Sequence, residues 1–178
     1  MKIIVLQHIK IEDPGYIKDL MLNDNVDLTT IELDEGEKIP QDLSNYDAMF
    51  CMGGPMDTWM EKDYPWLIDE KKRIKEFVVD LKKPYLGFCL GCQLLGEVIG
   101  GKVVRSNQPE IGMLDVKFSE NKNNDSLFFE FPEKITSLQW HSYEVQELEN
   151  NKDVTLIASS PETKFQIFKY KNHAYGIQ

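Results

Sequence analysis

Ten residues, Pro84-Tyr85-Leu86-Gly87-Phe88-Cys89-Leu90-Gly91-Cys92-Gln93, constrain this chain more than any other stretch. An apolar run gives way to a helical one, and a cysteine sits at the join between two glycines. That is the pattern of a nucleophile elbow, a strand-to-helix turn tight enough to hold its central side chain strained and exposed. Gly87 and Gly91 suit such a turn because a side chain at either place would crowd it. A helix that begins directly after Cys89 turns free N–H groups and a positive dipole end toward the sulfur, which favours thiolate over thiol. Cys89 is the candidate nucleophile.

The flanking segments read as strands and helices in alternation. Residues 2–7 form a short apolar run, and Asp13-Pro14-Gly15 punctuates the chain before a helical patch at 16–22. Residues 28–33 carry β-branched side chains in alternation, and the apolar run at 47–52 ends in Gly53-Gly54-Pro55. Apolar residues at Leu67, Ile68, Ile74, Phe77, Val78 and Leu81 predict a helix over 65–81. Residues 85–89 are then a strand and 90–99 a helix, stopped by Gly100-Gly101. This alternation predicts an α/β fold of three layers around a mostly parallel, doubly wound sheet. Further on, residues 102–105, 112–118, 135–140, 154–159, 165–170 and 174–178 read as strands, with turns at 121–124 and 160–161. They predict an antiparallel extension of the same sheet, so residues 1–178 are expected to form a single domain.

The net charge of -10 argues against a nucleic-acid or anionic-membrane partner, since both want basic patches. No apolar run approaches the ~20 residues that span a bilayer, and Met1-Lys2-Ile3-Ile4-Val5-Leu6 reads as a first strand rather than a signal peptide. Three cysteines in a chain of 178 residues do not make a disulfide framework. The expectation is a cytoplasmic protein with reduced thiols, no metal and no cofactor.

Cys51, preceded by Met49-Phe50 on an apolar run, reads as a buried packing residue. A Cys89 thiolate has different prospects: it can attack a carbonyl or amide carbon and leave a thioester. The oxyanion formed needs backbone N–H donors. Leu90 offers one, and the Gly53-Gly54-Pro55 loop, where a backbone can approach closely, is the candidate for another. Cys89-Leu90-Gly91-Cys92 is also a C-x-x-C pair, as in thiol–disulfide oxidoreductases. The elbow accounts for the glycines that the redox motif leaves unexplained, and Cys92 reads as a helix-packing residue. The near-Walker pattern at 96–103 lacks the final Ser/Thr and sits at a helix end, where no amides face a phosphate.

Gly87-Phe88-Cys89-Leu90-Gly91-Cys92-Gln93 resembles the G-x-C-x-G-x-Q signature of the class I glutamine amidotransferases, and Met52-Gly53-Gly54-Pro55-Met56-Asp57 is similar to their oxyanion loop. The nearest group resembles the glutaminase domain of GMP synthase, on a flavodoxin-like fold. The resemblance implies that Cys89 attacks the side-chain amide of L-glutamine and releases ammonia for an acceptor or a synthetase partner. It assigns the oxyanion to the Gly54 and Leu90 N–H groups. Gln93 would orient the amino-acid end of the substrate, with Met56 at a substrate-contacting position of the oxyanion loop. Trp140, Ser142 and Tyr143 lie in the segment whose backbone touches that same end.

Such a cysteine needs a histidine oriented by a carboxylate. The resemblance puts both in a His-Pro-Glu motif just after a strand similar to Ala174-Tyr175-Gly176-Ile177-Gln178, where the sequence stops. The chain is therefore expected to be truncated before its base and inactive as written. His8 reads as a rim residue, His173 as a solvated turn residue and His141 as a substrate-side neighbour. Two other functions stay open: a γ-glutamyl peptide hydrolase on the same fold, and a non-catalytic module that senses glutamine or regulates a partner.

Overall fold

Lys2–Gln7 (β1) is buried along almost its whole length, as a parallel strand covered on both faces should be. The computed structural model describes residues 1–178. Beside β1 lie Asp27–Glu32 (β2) and Ala48–Cys51 (β3), and beyond β3 lies Tyr85–Phe88 (β4), all parallel. The chain continues through Lys102–Phe118 (β5), Lys134–Gln146 (β6), Val154–Ser159 (β7), Ile167–Tyr170 (β8) and Ala174–Ile177 (β9). The nine strands form one sheet in the order β2-β1-β3-β4-β9-β8-β7-β5-β6.

The alternation along the strands sorts side chains into two layers of packing. Ile4, Leu6, Met49, Cys51 and Tyr85 face Trp66–Lys75 (α2) and Leu90–Val98 (α3), in a core of 25 buried residues. Ile3 and Val5 face the other way, onto Met21 of Tyr16–Asn23 (α1). Burying each such side chain is worth about 1.5–3 kcal/mol, so the sheet holds its helices from both sides. The expected three-layer α/β architecture is what forms.

The structure departs from the sequence reading in three places. The helix expected over 65–81 stays α-helical only to Lys75 and then widens into a π-helical turn over Glu76–Asp80. Phe77 and Val78, adjacent in sequence, are both fully buried there. The segments 102–105 and 112–118 are one strand of 17 residues, with a register shift between Arg105 and Glu110, and β6 runs well past residue 140. Much of this ribbon is exposed on both faces, so its alternation of polar and apolar residues is weak. Finally, β9 does not belong to the antiparallel extension alone. It pairs parallel with β4 and antiparallel with β8, which joins the two halves of the sheet.

Asp125 pins the segment after β5 to this junction. Its carboxylate accepts from the Lys169 ammonium (2.6 Å), the Leu127 N–H (3.0 Å) and the Tyr175 hydroxyl (3.1 Å). Burial pushes its pKa up, but those donors outweigh burial and hold it below the ordinary value. Asp125→Ala is expected to cost about 3 kcal/mol in urea unfolding, because it strands the Lys169 charge. The sign of the pH dependence follows from the lowered pKa: this stabilisation is present above the unfolded carboxylate pKa and is lost as pH falls through the folded one.

Candidate active site

Cys89 sits at the tip of β4, immediately before α3, with φ 46° and ψ −102°. A non-glycine residue in that region is strained by about 1–3 kcal/mol, and neighbouring hydrogen bonds hold it there. Its N–H donates to the Ile177 carbonyl (2.8 Å), and its own carbonyl accepts from the Gln93 N–H (3.0 Å). The two flanking glycines answer to close approach. A Cβ on Gly87 would sit 2.5 Å from the Gly91 backbone, and one on Gly91 would collide with the Cys51 carbonyl. The elbow is real.

A cleft of about 720 Å³ opens over Cys89. The candidate nucleophile, oxyanion and substrate-contact positions named from the sequence all line it: Gly54, Met56, Leu90, Gln93, Trp140, Ser142 and Tyr143 together with Cys89. Gly54 follows β3, so the parallel pairing of β3 with β4 sets the glycine loop beside the elbow. Thr58, farther along that loop, donates to Glu97 of α3 at 2.6 Å, and Trp59 packs edge-on against Tyr143 with centroids 4.5 Å apart. The Gln93 amide donates to the Tyr143 carbonyl (3.4 Å) and to Oε1 of Gln178 (3.2 Å), tying α3 to β6. Met56 is buried and packs in the main core.

The thiol is not poised as the helix dipole alone suggested. Burial pushes the Cys89 pKa up to about 11, and Glu12 and Asp57 add to the rise. The Leu90 N–H and the Gln178 side chain pull it down by less. Burial raises the pKa of both carboxyls too, with His8 lowering that of Glu12. Glu12 and Gln178 are site neighbours that sequence reasoning missed, and Asp57, inside the segment similar to the oxyanion loop, was given no role. Glu12 directly precedes the Asp13-Pro14-Gly15 turn, and nothing in the sequence brings it to Cys89.

Two of the three histidines fall differently from expectation, and His141 lies on the substrate side as expected. His8 is no rim residue: it is fully buried and bonded to the Gly53 carbonyl through Nδ1 and to Glu70 through Nε2, each at 2.8 Å. His173 is half-buried rather than solvated, with Nε2 2.9 Å from the Val78 carbonyl. His141 lines the cleft, but Nδ1 meets the Tyr143 carbonyl at 3.0 Å and Nε2 meets Glu110 at 3.1 Å. Neither ring nitrogen is free to take the Cys89 proton. His8, Cys51 and Glu70 bring a nitrogen, a sulfur and an oxygen within 4.8 Å of one another, ligand types that zinc accepts. The His8 ring and the Cys51 thiol both already bond Glu70 Oε1, the thiol at 3.4 Å, while Oε2 of Glu70 is buried without a hydrogen-bond partner.

The three free thiols of Cys51, Cys89 and Cys92 form no disulfide. No helix is long and apolar enough to cross a membrane.

A three-layer α/β fold with a strained cysteine facing a glycine loop defines a class, and sequence comparison agrees with it. The family model for glutamine amidotransferase class-I matches residues 16–178, and the chain belongs to that family. The crystal structure of a glutamine amidotransferase from Thermotoga maritima superposes with a TM-score of 0.90 at 31% identity, covering 100% of this chain and 74% of that one. The chain is 33% identical over 135 residues to the glutamine-hydrolyzing GMP synthase of Staphylococcus epidermidis, covering 75% of this chain and 24% of the synthase. It is 28% identical over 141 residues to gamma-glutamyl peptidase 5 of Arabidopsis thaliana, covering 78% of this chain and 54% of the peptidase. The chain thus spans about a quarter of the one curated relative and about half of the other.

Proposed function

We propose that this chain is the glutamine-hydrolysing part of an amidotransferase, with Cys89 as nucleophile and the Gly54 and Leu90 N–H groups as the oxyanion hole. The observation that carries the reading is the convergence on one cleft of a strained cysteine, a glycine loop and β6, three segments distant in sequence. Cys89 loses its proton to a base, and the sulfur attacks the side-chain amide carbon of L-glutamine. The oxyanion collapses, the C–N bond breaks, and the nitrogen takes the proton from the base and leaves as ammonia. Water then hydrolyses the thioester, restoring the thiol and releasing glutamate. Gln93, Met56, Trp140, Ser142 and Tyr143 form the substrate wall of the cleft.

The base is none of the three histidines, since His8 and His141 have both nitrogens engaged and His173 bonds Val78 away from the cleft. With its thiol held near pKa 11, residues 1–178 by themselves are expected to hydrolyse glutamine only at background. The ammonia goes to an acceptor or a synthetase partner, a reading supported by the likeness to a glutamine-hydrolyzing GMP synthase. The peptidase relative keeps a second reading in view, cleavage of a γ-glutamyl peptide by the same thioester chemistry. Coupled glutamate-release assays of the full-length natural chain on free glutamine and on a γ-glutamyl dipeptide separate them. Turnover of glutamine is expected to be faster by at least tenfold; preference for the dipeptide replaces the first reading with the second.

A further inference from the structure

The Gly53–Gly54 peptide is held from behind by a histidine that the chemistry above does not use. His8 Nδ1 lies 2.8 Å from the Gly53 carbonyl oxygen, and Nε2 lies 2.8 Å from Glu70 Oε1, in a pocket where neither side chain is exposed. A carbonyl oxygen only accepts, so Nδ1 carries a proton wherever the proton between Nε2 and Glu70 rests. The ring is also stacked on Trp66, with centroids 5.5 Å apart and planes within 20°. Burial works against a charged imidazole here, yet Glu70, the Gly53 carbonyl and Glu12 together carry the His8 pKa above its ordinary value.

In a trans peptide the C=O and the N–H that follows it lie in one plane and point in opposite directions. No peptide bond of the chain is cis. Pinning the Gly53 oxygen on His8 therefore turns the Gly54 N–H away from His8. That N–H finds no acceptor in the chain, while Gly54 lines the cleft with Cys89. Two consecutive glycines rotate at little steric cost, so an unclamped peptide here would sample the flipped state. The polar contacts continue behind the site. The Cys51 thiol donates to Glu70 at 3.4 Å, and the Tyr85 hydroxyl, beside that thiol, donates to the Gly91 carbonyl at 2.8 Å in the first turn of α3.

We propose that His8, anchored by Glu70, is a positioning residue that locks the Gly53–Gly54 peptide with its N–H aimed at the oxyanion site beside Cys89. The proposal rests on the amide-attack reading above, and it explains why a buried histidine–glutamate pair persists in an otherwise apolar layer.

The test compares His8→Phe with His8→Asn in the full-length natural chain. Phenylalanine keeps the ring and its stacking but loses the donor; the asparagine amide can replace Nδ1–H. His8→Phe is expected to lower kcat on glutamine about 10²-fold, the scale of one lost oxyanion donor, with KM within about twofold, and His8→Asn to restore most of it. Cys89 alkylation by iodoacetamide needs no oxyanion hole and is expected to be unchanged. Alkylation by a chloroketone analogue of glutamine passes through a tetrahedral adduct and is expected to slow in step with kcat. An equal fall in both alkylation rates, or an unchanged kcat in His8→Phe, overturns the clamp. The wild-type protein provides a check that needs no variant to fold. A slowly exchanging Nδ1–H resonance of His8, scalar-coupled to the Gly53 carbonyl carbon, is expected, and its absence overturns the proposal. If wild type turns over no glutamine, the amide-attack reading fails, while the resonance and the ratio of the two alkylation rates still decide the clamp.

Discussion

Cys89→Ser is expected to reduce glutamine hydrolysis by the full-length natural chain by about 10⁵- to 10⁶-fold, the cost of removing the nucleophile from a triad-type enzyme. The loss is expected in kcat, with glutamine still binding, because the walls of the cleft come from the glycine loop and β6 rather than from the sulfur. Cys92→Ser at the other end of the C-x-x-C pair is expected to leave activity within a few-fold. Cys92 is fully buried against the sheet, with its sulfur 2.9 Å from where a Cβ on Gly176 would sit. A thiol–disulfide enzyme would lose its function with either cysteine. Steady-state glutamate release checks both variants.

The second large effect concerns the thiol itself. With a pKa of about 11, the Cys89 thiolate fraction at pH 8 is on the order of 10⁻³. Iodoacetamide is therefore expected to alkylate residues 1–178 at pH 8 about 10²-fold more slowly than it alkylates a free cysteine. Burial is the first cause of the raised pKa and the Glu12 charge the second, so Glu12→Gln is expected to move the alkylation profile to lower pH. A profile centred near that of a free thiol in wild-type residues 1–178 would contradict the assignment. The same shift bears on stability. The folded thiol holds its proton above the pH at which the unfolded one ionises, so this contribution is intact below the unfolded pKa and is lost as pH rises toward about 11. An acidic cleft that suppresses its own nucleophile also fits a substrate bearing an α-ammonium group, whose charge would offset Glu12 and Asp57.

What the sequence made legible was local. The elbow is written in seven consecutive residues, and both its glycines meet backbone that leaves no room for a Cβ. The glycine loop could be paired with it because two parallel strands, each ending in a loop of the right composition, place their loops side by side. The charge that sets the reactivity of the site was not legible. Glu12, Asp57 and Gln178 reach Cys89 from three separate parts of the chain, and of these only Asp57 lies in a segment with a local signature, which says nothing of its charge. Glu70 misleads most: in Trp66-Leu67-Ile68-Asp69-Glu70-Lys71-Lys72 it reads as one charge on a solvated helix face, yet it is fully buried against His8 and Cys51. The parallel pairing of β9 with β4 hid for a related reason, since its partner lies nearly ninety residues earlier and turn chemistry says nothing about it.

Intact-mass spectrometry after exposing the full-length natural chain to a diazo-ketone analogue of glutamine tests the central claim most directly. The prediction is one covalent adduct per chain, located on Cys89 by peptide mapping, absent in Cys89→Ser and suppressed by excess glutamine. A folded chain that binds glutamine but forms no adduct on Cys89 would contradict it, and would make this cleft a sensor rather than a catalyst.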